Sequence, residues 1–360
     1  MAMIYDSSLI GKRESVVDEI LLLNPHQTPL INLLGFGQPV TQTEHQWYED
    51  EMFAYESTVN GAKTASDTTI TVADAEPFRA EQVVKIGDEL LKVTAVNGND
   101  LTVVRGYAGT TAAAIADGAK VEVQFTEGVE GADARAARFK PRKRVSNLTQ
   151  IFDDTIQISG TAEAVTQYGI ADLYTYEKQK KQLELALQLE KALINGIKYE
   201  NGQIRQMAGL RSFIQTNVTD VNGPLTADAI NNLAQDIYEK GGFANGGRFV
   251  ILVPAKQKRA LSALDQDKIV LERAENVRGQ VVDMFVSDFG QFEIMVDNNL
   301  APDELFLIDA NRISIRPLAN REFFHTYLGV RGDHREGMIV GEYTLEVLQE
   351  KAHGRLKGLA

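Results

Sequence analysis

The sequence contains no cysteine. That excludes disulfides, thiolate metal sites, thiol catalysis and a cysteine-stapled secreted scaffold, and it fits a chain that folds in a reducing cytoplasm. Long hydrophobic runs are missing too. The longest apolar stretches, such as Phe249 to Val253 and Ile20 to Leu23, fall far short of the ~20 residues a membrane helix needs. Met1 to Ile10 holds polar and acidic residues where a signal peptide would place a basic start and an apolar core. Asn147-Leu-Thr149 and Asn217-Val-Thr219 match the glycosylation sequon, but without a secretory route both are read as chance. Positive charge is scarce: 37 Lys and Arg face 50 Asp and Glu, a net charge of −13. A generic nucleic-acid-coating protein would instead carry a basic face.

The usual signatures of catalysis are also absent. The five histidines, His26, His45, His325, His334 and His353, form no H-E-x-x-H pair or other close ligand spacing. His334-Arg-Glu336 reads as a surface ion-pair cluster. Gly241 to Gly247 is glycine-rich but lacks the Lys and hydroxyl of a phosphate loop and sits between a helix and a strand, so it reads as a turn. No G-x-S-x-G elbow is present. Asp153-Asp154 and Glu49-Asp50-Glu51 have no partner acid, base or ligand nearby in sequence and read as solvated or paired charges. No catalytic residue, cofactor or metal is implied.

What is present is 360 residues with 44% hydrophobic content, enough for roughly two or three domains and too apolar for a disordered chain. Residues 1 to about 60 read as an extended arm. Val16, Val17, Ile20, Leu21 and Leu23 suggest a short amphipathic helix, broken by Pro25 and Pro29. Thr41 to Tyr55 alternates like a half-buried strand. The arm either packs on its own domain or lies on a neighbouring subunit. Residues 62 to about 125 carry short β-branched runs at Thr68–Val72, Gln82–Ile86, Glu89–Val96, Leu101–Arg105 and Lys120–Phe125, with a hairpin signal at Asn97-Gly98-Asn99-Asp100. That spacing predicts a small β-barrel or sandwich, spliced into a longer chain.

A flexible linker follows over 126 to 145 and turns basic: Arg135, Arg138, Lys140, Arg142, Lys143 and Arg144 occur with no acid among them. It reads as a solvated loop neutralised by the chain's own carboxylates, as a nucleic-acid contact, or as an inter-subunit contact with an acidic neighbour; the last is preferred. Thr161 to Lys198 predicts one continuous helix, capped by Thr161, with Val165, Leu173, Tyr176, Leu183, Leu187 and Ile194 on its apolar face and Gly169 as a possible bend. Residues 224 to 318 read as a compact α/β unit: a helix capped by Thr226, a buried strand Phe249–Val253, a basic-faced helix over 255–264, a hairpin from Val281–Val286 to Phe292–Val296, and short strands Leu305–Ile308 and Ile313–Ile315. Residues 338 to 348 give a closing strand, followed by a polar, basic tail.

Several stretches resemble the tailed-phage major capsid proteins, whose shared fold is named after bacteriophage Hong Kong 97. These are Tyr5-Asp-Ser-Ser-Leu-Ile-Gly11, Pro25-His-Gln-Thr-Pro29-Leu, Ser146-Asn-Leu-Thr-Gln-Ile-Phe152 and Ile158-Ser-Gly-Thr-Ala-Glu-Ala-Val165. Arg105-Gly-Tyr-Ala-Gly-Thr110, with Gly118 after it, is similar to a small β-module that recurs in phage structural proteins. Residues 320 to 337 match nothing assignable.

The resemblance implies an α+β capsid fold with an inserted small β-barrel or sandwich. Residues 1–45 would be the N-terminal arm and 46–145 the extended loop carrying the β-module at about 62–125. Residues 146–223 would be the peripheral domain with its spine helix over 161–198, 224–318 the axial domain, and 319–360 the return to the peripheral domain. The implied function is a major head protein that self-assembles, as hexameric and pentameric capsomers, into a shell around the phage genome. It would be found in the virion after assembly in the host cytoplasm. A separate scaffolding protein, a portal and a decoration protein are the further partners expected, the genome being enclosed but not tightly bound and no membrane being involved. A tail-tube or decoration protein sharing only the β-module is the alternative. Trp47, Tyr48, Phe53 and the basic residues Arg135, Arg138, Lys140, Arg142, Lys143 and Arg144 are the inter-subunit contact candidates.

Overall fold

The computed structural model describes residues 28–131, 133–165, 170, 172–243, 247–263, 272–275, 281–330 and 332–360. They form two compact units. The smaller is Tyr48–Lys143; the larger comprises the residues before Tyr48 together with Arg144–Ala360. The helix expected around Val16 to Leu23 lies outside the described residues.

In the larger unit the arm begins with α1 (Pro29–Leu34), which Pro29 opens and Gly35, at φ 63°, ends. Leu30 is buried in this unit's own core. The chain then runs beside a strand of the same unit: Gly37 N donates to Ile315 O and Val40 N to Pro317 O, both at 2.8 Å. From Thr28 to Val40 the arm therefore packs on its own body. β1 (Glu44–Glu49) is shorter than the expected Thr41–Tyr55 strand, because the acidic run that follows Tyr48 is poor strand material.

The smaller unit holds β2 (Glu56–Thr58), β3 (Thr69–Thr71), β4 (Gln82–Ile86), β5 (Glu89–Asn97), β6 (Asp100–Val104) and β7 (Lys120–Thr126). All pair antiparallel, in the order β2-β7-β4-β5-β6-β3. A bridge between Val59 and Val72 ties the two edges together, so the sheet closes on itself. The predicted hairpin joins β5 to β6, with Gly98 at φ 58° supplying the left-handed turn. Alternate side chains, among them Val84, Ile86, Leu91, Val93, Leu101, Val103 and Val121, fill the interior. Each such burial is worth about 1.5–3 kcal/mol, so this unit has a core of its own.

Back in the larger unit, β8 (Lys143–Leu148) pairs with β1, and β9 (Gln150–Ser159) turns Phe152, Ile156 and Ile158 inward. The single helix expected over 161–198 is instead two. Ser159, not Thr161, caps α2 (Gly160–Ala164) by accepting from Ala162 N at 3.2 Å. The chain is extended at Val165 (φ −81°, ψ 123°). α3 (Leu173–Asn195) starts afresh where the Asp172 carboxylate accepts from Tyr174 N, Thr175 N and Thr175 Oγ1. A capping side chain that satisfies several donors defines its own helix start. The 23 residues of α3 span about 34 Å. Its buried stripe is Leu185, Leu189, Leu193 and Ile194; the expected Ile194 belongs to it, but Leu183 is 44% exposed, so the face expected from Leu183 and Leu187 is two residues out of register. Gly169 lies outside the described residues.

A hairpin of β10 (Tyr199–Asn201) and β11 (Ile204–Gln206) turns at Gly202, and α4 (Leu210–Phe213) follows. β12 (Val218–Gly223) leads to α5 (Ala227–Glu239), where Thr226 accepts from Ala229 N at 3.1 Å as its sequence position predicts. β13 (Phe249–Val253), α6 (Ala255–Ser262), β14 (Glu272–Glu275), β15 (Val281–Ser287), β16 (Gly290–Val296) and β17 (Leu305–Asp309) complete this region. The last elements are β18 (Ile313–Pro317), β19 (Phe324–Val330), β20 (His334–Val347) and β21 (Gly354–Leu359).

Seven strands form one sheet in the order β12-β21-β17-β13-β16-β15-β14. β13 is apolar throughout because both faces are covered: Val250 and Leu252 enter the α3 core, Ile251 and Val253 the α5 core. β21 is a correction. The tail expected to be polar and basic is a strand between β12 and β17, with Leu356 and Leu359 buried. A second sheet is built on β20, which pairs with β9 over ten residues and with β18 and β19 along its other edge. β19 accounts for part of the stretch 320–337. Both sequon asparagines are internal struts. Asn147 donates to Ala208 O and Leu345 O, and Asn217 to Lys351 O and His353 O.

Candidate inter-subunit surface

The nine candidate residues separate once their surroundings are known. Trp47 is only 7% exposed. Its ring lies 5.9 Å from Phe213 and 5.6 Å from His45, so α4 covers it within its own unit and it presents no surface. Tyr48 is exposed. Phe53 lies beneath the Arg138 guanidinium, 4.0 Å from the ring centroid, while Arg138 also donates to Pro77 O at 2.8 Å.

The basic run is largely paired within its own unit. Arg135 Nε lies 2.9 Å from Glu81. Lys140 Nζ lies 3.3 Å from Glu76 and 3.8 Å from Glu51, and Arg142 lies 3.3 Å from Asp50. These pairs sit in water and are individually weak. Together they lay the segment along the barrel and absorb the charge that would otherwise face a partner. Lys143 and Arg144 are exposed and carry no carboxylate partner among the described residues. Asp50 and Glu51 of the acidic cluster thus supply counterions to the basic run.

The smaller unit also exposes large apolar side chains. Phe139 is 81% and Met52 79% exposed, and Tyr48, Tyr55, Phe125 and Val129 are also exposed. The unit's core is already complete without them. Single exposed apolar residues are ordinary, but large side chains gathered on two flanking segments, 48–55 and 125–139, are what an association surface requires. Only Tyr48 of these six stands among the sequence candidates; the signal that could have found Phe139 is its place amid the basic run.

In the larger unit, composition gave no hint of three buried glutamates, each held by two basic side chains. Glu342 accepts from Thr149 Oγ1 (2.6 Å) and Arg205 Nη2 (2.9 Å), and Arg321 Nε lies 2.8 Å from its other oxygen. Glu304 meets Arg211 at 2.7 Å and Arg355, and Glu346 meets His45 at 2.8 Å and Arg316. Burial pushes Glu346 up, but the His45 and Arg316 contacts outweigh it and hold its carboxyl below the ordinary carboxylate value. These triads hold β20 and β21 to the segments around them. Among the described residues no group of three or more His, Asp or Glu is placed to hold a metal ion, and no helix is long and apolar enough to cross a membrane.

The profile of the family described as SU10 major capsid protein matches residues 3–360. A curated major capsid protein of Escherichia phage Phieco32 is 26% identical over 187 residues, covering 51% of this chain; the chain spans about half the length of that relative. Among solved structures, a chain of the cyanophage A-1(L) capsid asymmetric unit aligns over 98% of both chains with a TM-score of 0.56 and 10% identity. A chain of the capsid of Myoviridae phage XM1 aligns over 99% of both with a TM-score of 0.50 and 10% identity. At such identities the likeness is one of fold.

Proposed function

The chain belongs to the SU10 major capsid protein family, and from that premise we propose that it is the subunit of a phage head shell, whose work is association with its own kind into capsomers. The observation that carries this reading is the apolar surface on the smaller unit, left over after a complete barrel core has formed. Many modest contacts per subunit become effectively intramolecular once a ring has begun, and they let misplaced copies leave. The Tyr48–Lys143 unit is read as the inserted module of the extended loop. Trp47 and the paired part of the basic run serve the subunit's own fold, leaving Tyr48, Lys143 and Arg144 from the sequence candidates to act outward. A scaffolding protein, a portal and a decoration protein are the further partners. The net charge of −13 suits a wall that encloses DNA without gripping it. The fold likeness runs along the whole chain, not the barrel alone, which disfavours a tail-tube or decoration role.

The test is assembly by a variant in which Phe139 and Met52 are both replaced by serine. Light scattering and sedimentation are expected to report free subunits where the parent protein gives large particles, with unchanged circular dichroism. Parent-like yields of particles from the variant would remove this surface from the mechanism.

A further inference from the structure

Within the larger unit, α5 and α6 pack into one core with Ile251 and Val253 of β13, through Ile230, Leu233 and Ile237 of α5 and Leu261 of α6. Their outer faces carry opposite charge. At about 100° per residue, the side of α5 facing away from its buried stripe is Asp228, Asn232, Gln235 and Glu239, with Asp236 beside them, and all five are exposed. α6 has no acid between Ala255 and Ser262, and its Lys256 and Arg259, one turn apart, are both exposed. These two border an open cleft of about 580 Å³. Among the described residues, Lys256 and Arg259 form no ion pair, nor does Asp236, and Glu239 accepts from Gln235 at 2.8 Å. Lys240, next in sequence, is turned back to Asn217 Oδ1 at 2.5 Å.

The two patches stand at opposite ends of β13. Phe243, just past the end of α5, lies edge-on to Phe249 at the start of the strand, 4.5 Å between ring centroids, whereas α6 begins directly after Pro254 at its other end. The strand between them is about 16 Å long. Asp236 and Glu239 therefore face outward at one end and Lys256 and Arg259 at the other. Asp228, at the far end of α5, is not part of the acidic patch.

We propose that these patches are the two halves of a head-to-tail contact between copies of this chain: the basic cleft on α6 of one copy receives the acidic end of α5 from the next. The contact presupposes the capsomer reading above and adds which surfaces meet and by what force. Two different patches in contact make a heterologous interface, in which each copy keeps one patch of each sign for its other neighbour, so the contact repeats until a ring closes. Pairing a patch with its own copy would set like charges together. Exposed ion pairs contribute little each, but opposed patches fix register and reject the mismatched orientation. A second copy fits the basic cleft better than a nucleic acid does, because the chain carries the complementary acid itself and has a net charge of −13.

Two charge-reversal variants of the full chain test this: Lys256→Glu with Arg259→Glu, and Asp236→Lys with Glu239→Lys. Each alone should weaken association by about tenfold or more in sedimentation at low salt. Mixing the two should restore it, because each offers the patch the other lacks, and so should all four reversals in one chain. If the parent protein associates and the reversal variants match it, or if neither the mixture nor the combined chain recovers, the contact is overturned while the capsomer reading stands. A parent protein that stays as single subunits, with and without the proposed scaffolding protein, overturns both. Should a variant fail to fold, carbodiimide coupling of an equal mixture of isotope-labelled and unlabelled parent protein decides. An amide joining Lys256 of one copy to Asp236 or Glu239 of another supports the contact. Lys256 coupled only elsewhere, or not at all, refutes it.

Discussion

Arg105 lies against the Glu89 carboxylate with Nε donating to one oxygen and Nη2 to the other, each at 2.8 Å. The same two oxygens accept from Gly106 N and Ala113 N, and Arg105 also donates to Thr64 O and Asp67 O. The motif Arg105-Gly-Tyr-Ala-Gly-Thr110 thereby becomes a plug at one end of the barrel. Gly106 must lack a side chain, because at φ 62° a Cβ would meet Thr110 O at 2.8 Å. Burial pushes Glu89 up, but the Arg105 and backbone contacts prevail and hold it below the ordinary carboxylate value. Glu89→Gln should cost the barrel about 3–5 kcal/mol, because a buried guanidinium is left without its countercharge. Replacing Arg105 by Met in the same chain should recover part of that loss. Urea unfolding of the single and double variants measures both.

Gly337 faces the hydroxyl of Tyr174, where a Cβ would come within 1.8 Å of the oxygen. Tyr174 is held there by a 2.8 Å hydrogen bond to His325 and by Arg335 over its ring. Gly337→Ala should therefore destabilise the larger unit by about 1–3 kcal/mol. Gly337→Ala combined with Tyr174→Phe should be milder than the single change, since the double variant removes the oxygen that clashes. Denaturant midpoints distinguish the two.

His353 is completely buried, with Nδ1 accepting from Asp309 N at 3.1 Å. Burial brings it down to about 4, from an ordinary value of 6.5. The folded chain binds fewer protons there than the unfolded one, so this contribution is present above 6.5 and is lost as pH falls through about 4. Its full size is about 3 kcal/mol. Comparing unfolding free energies at about pH 7 and about pH 4.5, His353→Gln should show a smaller acid loss than the parent protein. Equal losses would mean that His353 does not titrate with folding.

Trp47 and Phe139 should behave oppositely. Trp47→Ala empties a buried site beside Phe213 and should cost about 3–5 kcal/mol. Phe139→Ser should leave the unfolding midpoint within about 0.5 kcal/mol and lower particle yield. Thermal melts and sedimentation, run on both variants, check the pair.

The contrast also marks how far the sequence could be read. β4, β13, α5 and the β5–β6 hairpin were legible because their signals are local: alternation, a double-sided apolar run, a Thr cap, a glycine in a turn. β21 was not. Gly354-Arg-Leu-Lys-Gly-Leu359 has few apolar residues, and what makes it a strand is the open backbone of β12 and β17 on either side of it. The break before α3 was hidden because the capping of Asp172 competes with a helical periodicity that continues across it. Trp47 looked like an outward aromatic because Phe213, its cover, is remote in sequence. The basic run was assigned to a neighbour in preference to the chain's own carboxylates for the same reason: Glu76 and Glu81 reach it only after the barrel has folded. The capsid-protein family was readable from a few short stretches. The apolar surface was largely missed, since exposure is a property of the folded unit.

The most direct measurement is electron microscopy of the overexpressed chain, prepared alone and with the scaffolding protein proposed as its partner. Closed shells of many copies are expected in at least one of the two preparations. Dispersed single subunits in both, with the barrel and the larger unit each folded, would contradict a shell-forming role.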